Sequence, residues 1–162
     1  MNTNLVSSNK MNWETPQWLY NKLDYEFGFT LDPCSDKNNH KCDKYFTEED
    51  NGLNQDWNGN IVFVNPPYGR ELKKWVKKAS ETNSVVVMLI PARTDTTYWH
   101  DYIFNKATEI RFMRGRIKFI DPITNKEGDS ALFPSAIIIF GCNWEISEPY
   151  ICAVDYRKGG GE

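Results

Sequence analysis

The sequence lacks the features that would quickly assign it to a membrane-spanning or secreted class. Its longest apolar runs, Val85–Ile90 and Ala136–Phe140, fall far short of the ~20 residues that span a bilayer. The first ten residues contain no basic stretch followed by an apolar one, so we expect no secretory signal and a cytosolic location. With 162 residues, 40% of them hydrophobic, the chain is long enough to bury one substantial core.

The four cysteines form no CxxC pair, which removes the usual signature of a structural zinc site or a redox-active disulfide. Cys34, His40 and Cys42 lie close together in the sequence. Their spacing matches no common zinc pattern, however, and no second pair of ligands follows them. We therefore predict no metal site, and reduced thiols of the kind found in cytosolic proteins.

The charged residues are unevenly distributed, although the net charge is only −3. Residues 70–78 and 106–118 each hold five lysines or arginines against one glutamate, whereas residues 30–57 hold seven acids against three lysines. One interpretation is that the basic segments bind phosphates while the acidic segment holds a cationic cofactor. The other is that all three segments are solvated faces, and charge alone does not decide between the two.

Hydrophobic periodicity predicts helices that alternate with buried strands. Three helices are expected: one that begins at Thr15-Pro16 and ends at Gly28, one that follows Gly69, and one from Thr94 to Ala107. Strands are expected at Phe29–Leu31, Lys44–Thr47, Ile61–Val64, Val85–Ile90, Ile110–Met113, Ile117–Ile120 and Ala136–Phe140.

This alternation predicts an α/β fold with a mainly parallel sheet, to which a hairpin near the C-terminus adds an antiparallel edge. We expect one domain at 13–156, flanked by a flexible N-terminus at 1–12 and a flexible tail at 157–162. Ligands of open parallel sheets bind at the carboxyl ends of the strands. Two unusual turns follow predicted strands at such ends, Asp32-Pro33-Cys34 and Asn65-Pro66-Pro67-Tyr68.

Asn65-Pro66-Pro67-Tyr68 is the strongest chemical signal in the chain. The exocyclic amine of adenine is a poor nucleophile because its lone pair is delocalised into the ring. The Asn65 side-chain oxygen and the Pro66 carbonyl form an acceptor pair for the two amine hydrogens, on a backbone that the prolines hold rigid. Tyr68 is expected to stack on the base, which must leave the duplex to reach this pocket. The alternative is a proline turn that only joins a strand to a helix.

At these residues the chain resembles a known family, the small phage-encoded DNA N-6-adenine-methyltransferases related to the Dam enzymes. The resemblance covers roughly residues 13–141. It depends on the order of short motifs, namely Trp13-Glu14-Thr15-Pro16, Leu31-Asp32-Pro33-Cys34, Gly52-Leu53, Asp56-Trp57, Asn65-Pro66-Pro67-Tyr68, Gly115-Arg116-Ile117-Lys118-Phe119 and Ala136–Phe140. It implies a Rossmann-like fold, S-adenosyl-L-methionine as the cofactor, DNA as the partner, and methyl transfer to N6 of adenine.

The resemblance also implies roles for individual residues. Catalysis falls to Asn65, Pro66, Pro67 and Tyr68. The cofactor is expected to contact Trp13, Thr15, Pro16, Asp32, Pro33, Cys34, Asp56 and Asn65, with Asp56 beside its adenine. Arg70, Arg93 and Arg116 are expected to contact DNA, Arg93 because it follows Pro91 at a strand end, where a plain surface arginine is the alternative. No separate target-recognition domain is visible, so the target sequence is expected to be recognised by the loops Ala92–Thr97 and Asp121–Asp129.

The chain departs from the wider methyltransferase superfamily after its first strand. Cys34-Ser35-Asp36 stands where a Gly-rich loop is usual, and the acidic residue that holds the ribose is left open among Glu48, Glu49 and Asp50. Two other functions stay open. The same acceptor pair suits RNA or a protein glutamine, and the absent glycines leave room for a non-enzymatic protein that binds DNA or a partner.

Overall fold

The structure, a computed structural model, describes residues 12–141 and 147–157. The predicted flexible ends lie outside these residues, apart from Asn12 and Arg157. The elements are, in chain order, α1 (Gln17–Phe27), β1 (Leu31–Asp32), β2 (Lys44–Tyr45), β3 (Ile61–Val64), α2 (Leu72–Glu81), β4 (Val85–Pro91), β5 (Glu109–Met113), β6 (Lys118–Ile120), β7 (Glu127–Ser130), β8 (Ser135–Phe140) and β9 (Tyr150–Val154). Short helical turns lie at Gly52–Asn54 and Trp99–Ile103.

Seven strands form one sheet in the order β2-β1-β3-β4-β8-β5-β9, and β6 and β7 form a separate antiparallel hairpin. All neighbouring pairs in the large sheet are parallel except the two made by β8, which runs antiparallel to β4 and β5. The expected mainly parallel sheet and the hairpin are confirmed. The expected antiparallel edge is wrong, because β8 lies inside the sheet. All six residues of β8 are buried, and a strand that is apolar on both faces belongs in the interior.

The two helices cover opposite faces of this sheet. Successive side chains of β4 point to opposite faces, so Val87 packs in the core that contains Leu19 of α1, while Val86 packs in the core that contains Val76 of α2. Helix α1 ends as predicted at Gly28, whose φ of 68° is costly for other residues and whose amide donates to the Asp24 carbonyl.

The third predicted helix is much shorter than Thr94 to Ala107, since only residues 97–103 are helical. Its start is delayed because both the amide and the hydroxyl of Thr96 donate to the Arg93 carbonyl in a turn. After Ile103 the chain continues only as turns, in which the Lys106 and Ala107 amides both donate to the Ile103 carbonyl. No helix in the described part of the chain is long and apolar enough to cross a membrane.

Candidate active site

The turn after β3 holds the Asn65 side chain in a defined orientation. Its Nδ2 donates to the Trp13 carbonyl oxygen at 2.9 Å, which connects the turn to the segment before α1. Because the amide nitrogen is committed to this bond, Oδ1 is the end of the amide that is left to accept. Among residues 12–141 and 147–157, no donor is hydrogen-bonded to that oxygen. Asn65 therefore presents an available acceptor at the carboxyl end of a buried parallel strand.

Tyr68 anchors the same turn to the neighbouring strand. Its hydroxyl donates to the Leu89 carbonyl oxygen at 2.9 Å, and burial raises the pKa of the phenol well above its usual value. The ring lies edge-to-face against Phe119 and Phe133, with centroids 6.0 and 5.5 Å away. Since its hydroxyl is bonded to the sheet, Tyr68 has only its half-buried ring to offer to a substrate.

The segment Trp13–Pro16 lies between this turn and the β6–β7 hairpin. Glu14 and Ile120 exchange two backbone hydrogen bonds of 3.0 and 2.9 Å, and the Trp13 ring is packed so closely on Gly128 that a Cβ there would lie 2.6 Å from it. Thr15 is only 2% exposed, and its hydroxyl has no hydrogen-bond partner among the described residues. Buried polar groups are nearly always bonded, so this hydroxyl has hydrogen-bonding capacity left for water or a ligand.

Asp32 holds the loop that follows β1. The carboxylate is 3% exposed and accepts from the Cys34 amide at 3.3 Å and the Lys41 amide at 2.9 Å. Burial raises the pKa of Asp32, and these two amides partly offset the rise. At the far side of the loop, the Pro33 carbonyl approaches Gly52 so closely that a Cβ there would lie 2.0 Å from its oxygen. Gly52 is therefore required at this position.

A polar cavity of about 330 Å³ opens between the Trp13–Pro16 segment, the β1 loop and the hairpin turn. Its lining includes Glu14, Thr15, Gln17, His40, Lys41 and Asn125. Glu14 and Lys41 bring opposite charges to this space. Burial raises the pKa of the Glu14 carboxyl and lowers the pKa of the Lys41 ammonium, so each charge is partly deprived of water.

The three arginines predicted to bind DNA are all exposed and follow parallel strands of the sheet. Arg70 comes after the turn at the end of β3, Arg93 after β4 and Arg116 after β5. The Arg93 guanidinium lies over the Phe133 ring, 5.4 Å from its centre, and Phe133 in turn contacts Tyr68. These cations therefore lie along the same sheet edge as Asn65.

The basic segment 106–118 is only partly available for an anion. Its other four basic residues are exposed, but Arg111 is not. The Arg111 guanidinium donates to the carboxylates of Glu26 and Glu109, each at 2.7 Å. This residue joins β5 to α1 and has a structural role. The solvated-face interpretation holds for Lys74 and Lys77 of α2, which pair with glutamates on their own helix.

Asp56 is not brought together with the other predicted cofactor residues. It lies in the loop before β3, at the amino end of the strand, whereas Asn65 follows the carboxyl end. Its carboxylate is exposed and accepts from the Asn58 amide at 2.9 Å in a local turn. Among the three ribose candidates, Asp50 accepts from both the amide and the hydroxyl of Thr47, which leaves Glu48 and Glu49 less committed.

The cysteine and histidine cluster is held apart by other partners. The Cys42 thiol lies 3.4 Å from the Tyr20 hydroxyl, and the His40 ring stacks on Tyr45. Burial raises the pKa of the Cys34 thiol well above its usual value. No group of three or more His, Cys, Asp or Glu side chains that could hold a metal ion occurs in the described part of the chain.

Sequence reasoning assigned no role to several residues at this site. Glu14 stood inside a quoted motif without a function, and Lys41 counted only as one of three lysines in an acidic segment. Phe133 and Ser135 follow the hairpin and gave no motif at all. Only the fold brings the β1 loop against the N-terminal segment, so no local pattern could have found the Glu14 and Lys41 cavity.

Comparison with known proteins agrees with this arrangement. Residues 2–157 match the family described as DNA N-6-adenine-methyltransferase (Dam). The DNA N-6-adenine-methyltransferase of Haemophilus phage HP1 is 33% identical over 144 residues, which cover 85% of this chain and 83% of that protein. The DNA N-6-adenine-methyltransferase of Escherichia phage T1 is 31% identical over 147 residues, covering 78% of this chain but 61% of that longer protein. The resemblance is thus confirmed, and the chain belongs to the DNA N-6-adenine-methyltransferase (Dam) family.

Proposed function

We propose that this protein transfers the methyl group of S-adenosyl-L-methionine to the exocyclic N6 of an adenine in DNA. Two phage proteins that are named for this activity are 33% and 31% identical to the chain. The observation that carries the proposal is the Asn65 amide, whose nitrogen is bonded to Trp13 while its oxygen is left to accept. That oxygen follows a buried parallel strand, at the sheet edge where α/β proteins bind ligands.

In this proposal the turn acts on the amine of the target base. Asn65 Oδ1 and the Pro66 carbonyl accept its two hydrogens and favour a tetrahedral nitrogen with a localised lone pair. Pro66 and Pro67 fix the backbone beforehand, so the acceptors need little reorganisation when the substrate arrives. The base leaves the duplex to reach the turn, and the half-buried Tyr68 ring supports it by stacking.

The cofactor half of the proposal is supported by the polar cavity beside this turn. When bound, S-adenosyl-L-methionine supplies a methyl group on a sulfonium. The Thr15 hydroxyl and Glu14 Oε1, neither of which has a partner among the described residues, fit the polar end of such a molecule. Trp13, Pro16, Asp32, Pro33 and Cys34 complete the proposed contacts. Asp56, at the opposite sheet edge, gains no support for a place beside the cofactor adenine.

The order of the parallel strands β2-β1-β3-β4, with helices on both faces, supports a Rossmann-like methyltransferase domain at 13–156. Arg70, Arg93 and Arg116 are the proposed phosphate contacts, and the loops Ala92–Thr97 and Asp121–Asp129 the proposed recognition elements. The proposed substrate is DNA, and phages encode the relatives, so the proposed location is the cytoplasm of the host cell.

The test is methyl transfer from labelled S-adenosyl-L-methionine to random-sequence DNA, RNA and a glutamine-containing protein side by side. We expect label in DNA alone, at N6 of adenine within a short sequence motif. Label in RNA or protein but not in DNA would favour the alternative substrates that the same acceptor pair suits. If calorimetry detects no binding of the cofactor at high micromolar concentration, the result would favour a non-enzymatic binding protein.

A further inference from the structure

We infer that Glu14 and Lys41 together grip a zwitterionic amino-acid group, Glu14 holding its ammonium and Lys41 its carboxylate. This inference rests on the proposed function, in which that group is the methionine end of the cofactor. The two residues come from distant segments, the one before α1 and the loop after β1, which meet at the cavity.

The two charges line one cavity without forming an ion pair, although each shifts the pKa of the other toward its charged form. Both residues line the space of about 330 Å³, yet among the described residues no ion pair within 4.0 Å joins them. Lys41 Nζ donates to the Gln17 side-chain oxygen at 2.9 Å, which leaves two of its three donors for a carboxylate. A zwitterionic ligand fits between these two side chains, with its ammonium toward Glu14 and its carboxylate toward Lys41.

Two buried oxygen atoms at the cavity have hydrogen-bonding capacity left. Glu14 Oε1 has no hydrogen-bond partner among the described residues, and the same is true of the Thr15 hydroxyl, on a residue that is only 2% exposed. Burying an unpaired carboxylate oxygen costs free energy unless a donor is supplied, and an ammonium group supplies three. The direction of the pKa changes agrees, since burial raises the pKa of Glu14 and lowers that of Lys41.

The segment that contributes Glu14 to the cavity also contacts the acceptor turn. Trp13, the residue before Glu14, accepts the hydrogen bond that orients Asn65. One short segment therefore connects the cavity lining to the turn that is proposed to hold the target amine. The cavity volume of about 330 Å³ is at the lower end of the range for small-molecule sites, which suits one end of a larger ligand.

Isothermal titration calorimetry with three related ligands tests the inference. S-adenosylhomocysteine carries both charges, its decarboxylated form lacks the carboxylate, and methylthioadenosine lacks both. We expect Lys41→Met to weaken S-adenosylhomocysteine binding by about tenfold or more, the usual scale for a partly buried charge pair, while methylthioadenosine binding stays within about twofold. Glu14→Gln is expected to weaken S-adenosylhomocysteine and its decarboxylated form alike. Lys37→Met and Glu148→Gln, both exposed, serve as matched controls without effect.

The ligand-free protein provides a second measurement. Glu14→Gln removes a partly buried carboxylate that has an unpaired oxygen, so the free energy of unfolding in urea is expected to rise. A fall would indicate a structural ion pair and would overturn the inference. Equal weakening of all three ligands by Lys41→Met, or no weakening, would also overturn it. If no adenosine ligand binds the wild type while DNA methylation is absent, the proposed function itself has failed.

Discussion

The two edges of the central sheet differ in how completely their polar groups are bonded. At the amino ends of β3 and β4, the Ser84 hydroxyl donates to the Trp57 carbonyl at 2.6 Å, and the Asn83 amide donates to the Asn58 side chain at 3.2 Å. Among the described residues, three buried side-chain oxygens lack a hydrogen-bond partner, and all three lie at the carboxyl ends of the strands. They belong to Glu14, Thr15 and Ser135.

One edge thus has its hydrogen bonds complete, and the other has buried groups with bonding capacity left. Both edges belong to the same strands, so strand propensity does not separate them. A closed network of hydrogen bonds contributes stability, whereas buried groups without partners reduce it and persist where function requires them. The carboxyl edge is accordingly the part of the molecule in which substitutions affect chemistry, and the amino edge the part in which they affect folding.

The largest expected effect is on catalysis at Asn65. Asn65→Ala removes an acceptor from the reacting amine, and we expect the rate of methyl transfer to fall by about 10²- to 10³-fold. Asn65→Asp keeps acceptor oxygens but sets one against the Trp13 carbonyl, so an intermediate rate is expected. Asn58→Ala at the opposite edge is the control, with its rate unchanged. Single-turnover methylation checks this, and an Asn65→Ala rate within about tenfold of wild type contradicts it.

A matched pair of buried serines tests the comparison through stability. Ser84→Ala removes one hydrogen bond to the Trp57 carbonyl, which still accepts from the Asn60 amide, and we expect the free energy of unfolding to fall by about 0.5–1.5 kcal/mol. Ser135→Ala removes a hydroxyl that has no partner among the described residues, so no loss or a small gain is expected. Urea unfolding of both variants is the measurement. Equal losses at the two positions would mean that Ser135 is bonded in solution and that the edges do not differ.

A smaller effect is expected for the exposed arginines of the carboxyl edge. Arg93→Gln and Arg116→Gln each remove a proposed phosphate contact, so the slope of log affinity against log salt concentration should fall by about one. Lys77→Gln, on the outer surface of α2, provides the control with an unchanged slope. Fluorescence anisotropy with a DNA duplex at several salt concentrations measures it. An unchanged slope in both arginine variants removes these residues from the DNA interface.

The smallest effect is expected at Asp56, on the amino edge. Asp56→Asn changes an exposed turn, and we expect cofactor affinity to stay within about twofold of wild type. Asp32→Asn, which faces backbone amides near the polar cavity, should lower it. Calorimetry decides. A tenfold loss for Asp56→Asn would restore the role implied by the family resemblance and would break the division between the edges.

The local sequence was sufficient to predict an element wherever its hydrophobic pattern matches its burial in the fold. Ile61–Val64 and Gly28 were predicted because a continuous apolar run and a helix-ending glycine mean much the same in most folds. Strand β7 was missed because Glu127–Ser130 is polar and mostly exposed, and it is a strand only through pairing with β6. Strand β9 has exposed apolar residues without strict alternation, so its pairing with β5 was equally invisible.

The site was predictable only in its chemistry. Asn65 and its prolines were found because a rare motif carries its own geometry. Asp56 was assigned by resemblance, and sequence order does not tell which end of a strand a loop occupies. Lys41 was missed because its partner, Glu14, lies 27 positions earlier and meets it only when β1 and the hairpin are in place. The orphaned oxygens that mark the cavity are a property of tertiary packing.

The antiparallel strand β8 has a consequence for how the protein is made. It is the sole link between the parallel strands β1–β4 and the pair β5 and β9 among the described residues. During synthesis, residues 135–140 must therefore emerge from the ribosome before β4 and β5 can both pair within one sheet. Until then, β4 and β5 have unpaired edges that are open to other chains. A nascent chain stopped before Ser135 should consequently be captured by chaperones or aggregate, whatever the quality of its first four strands.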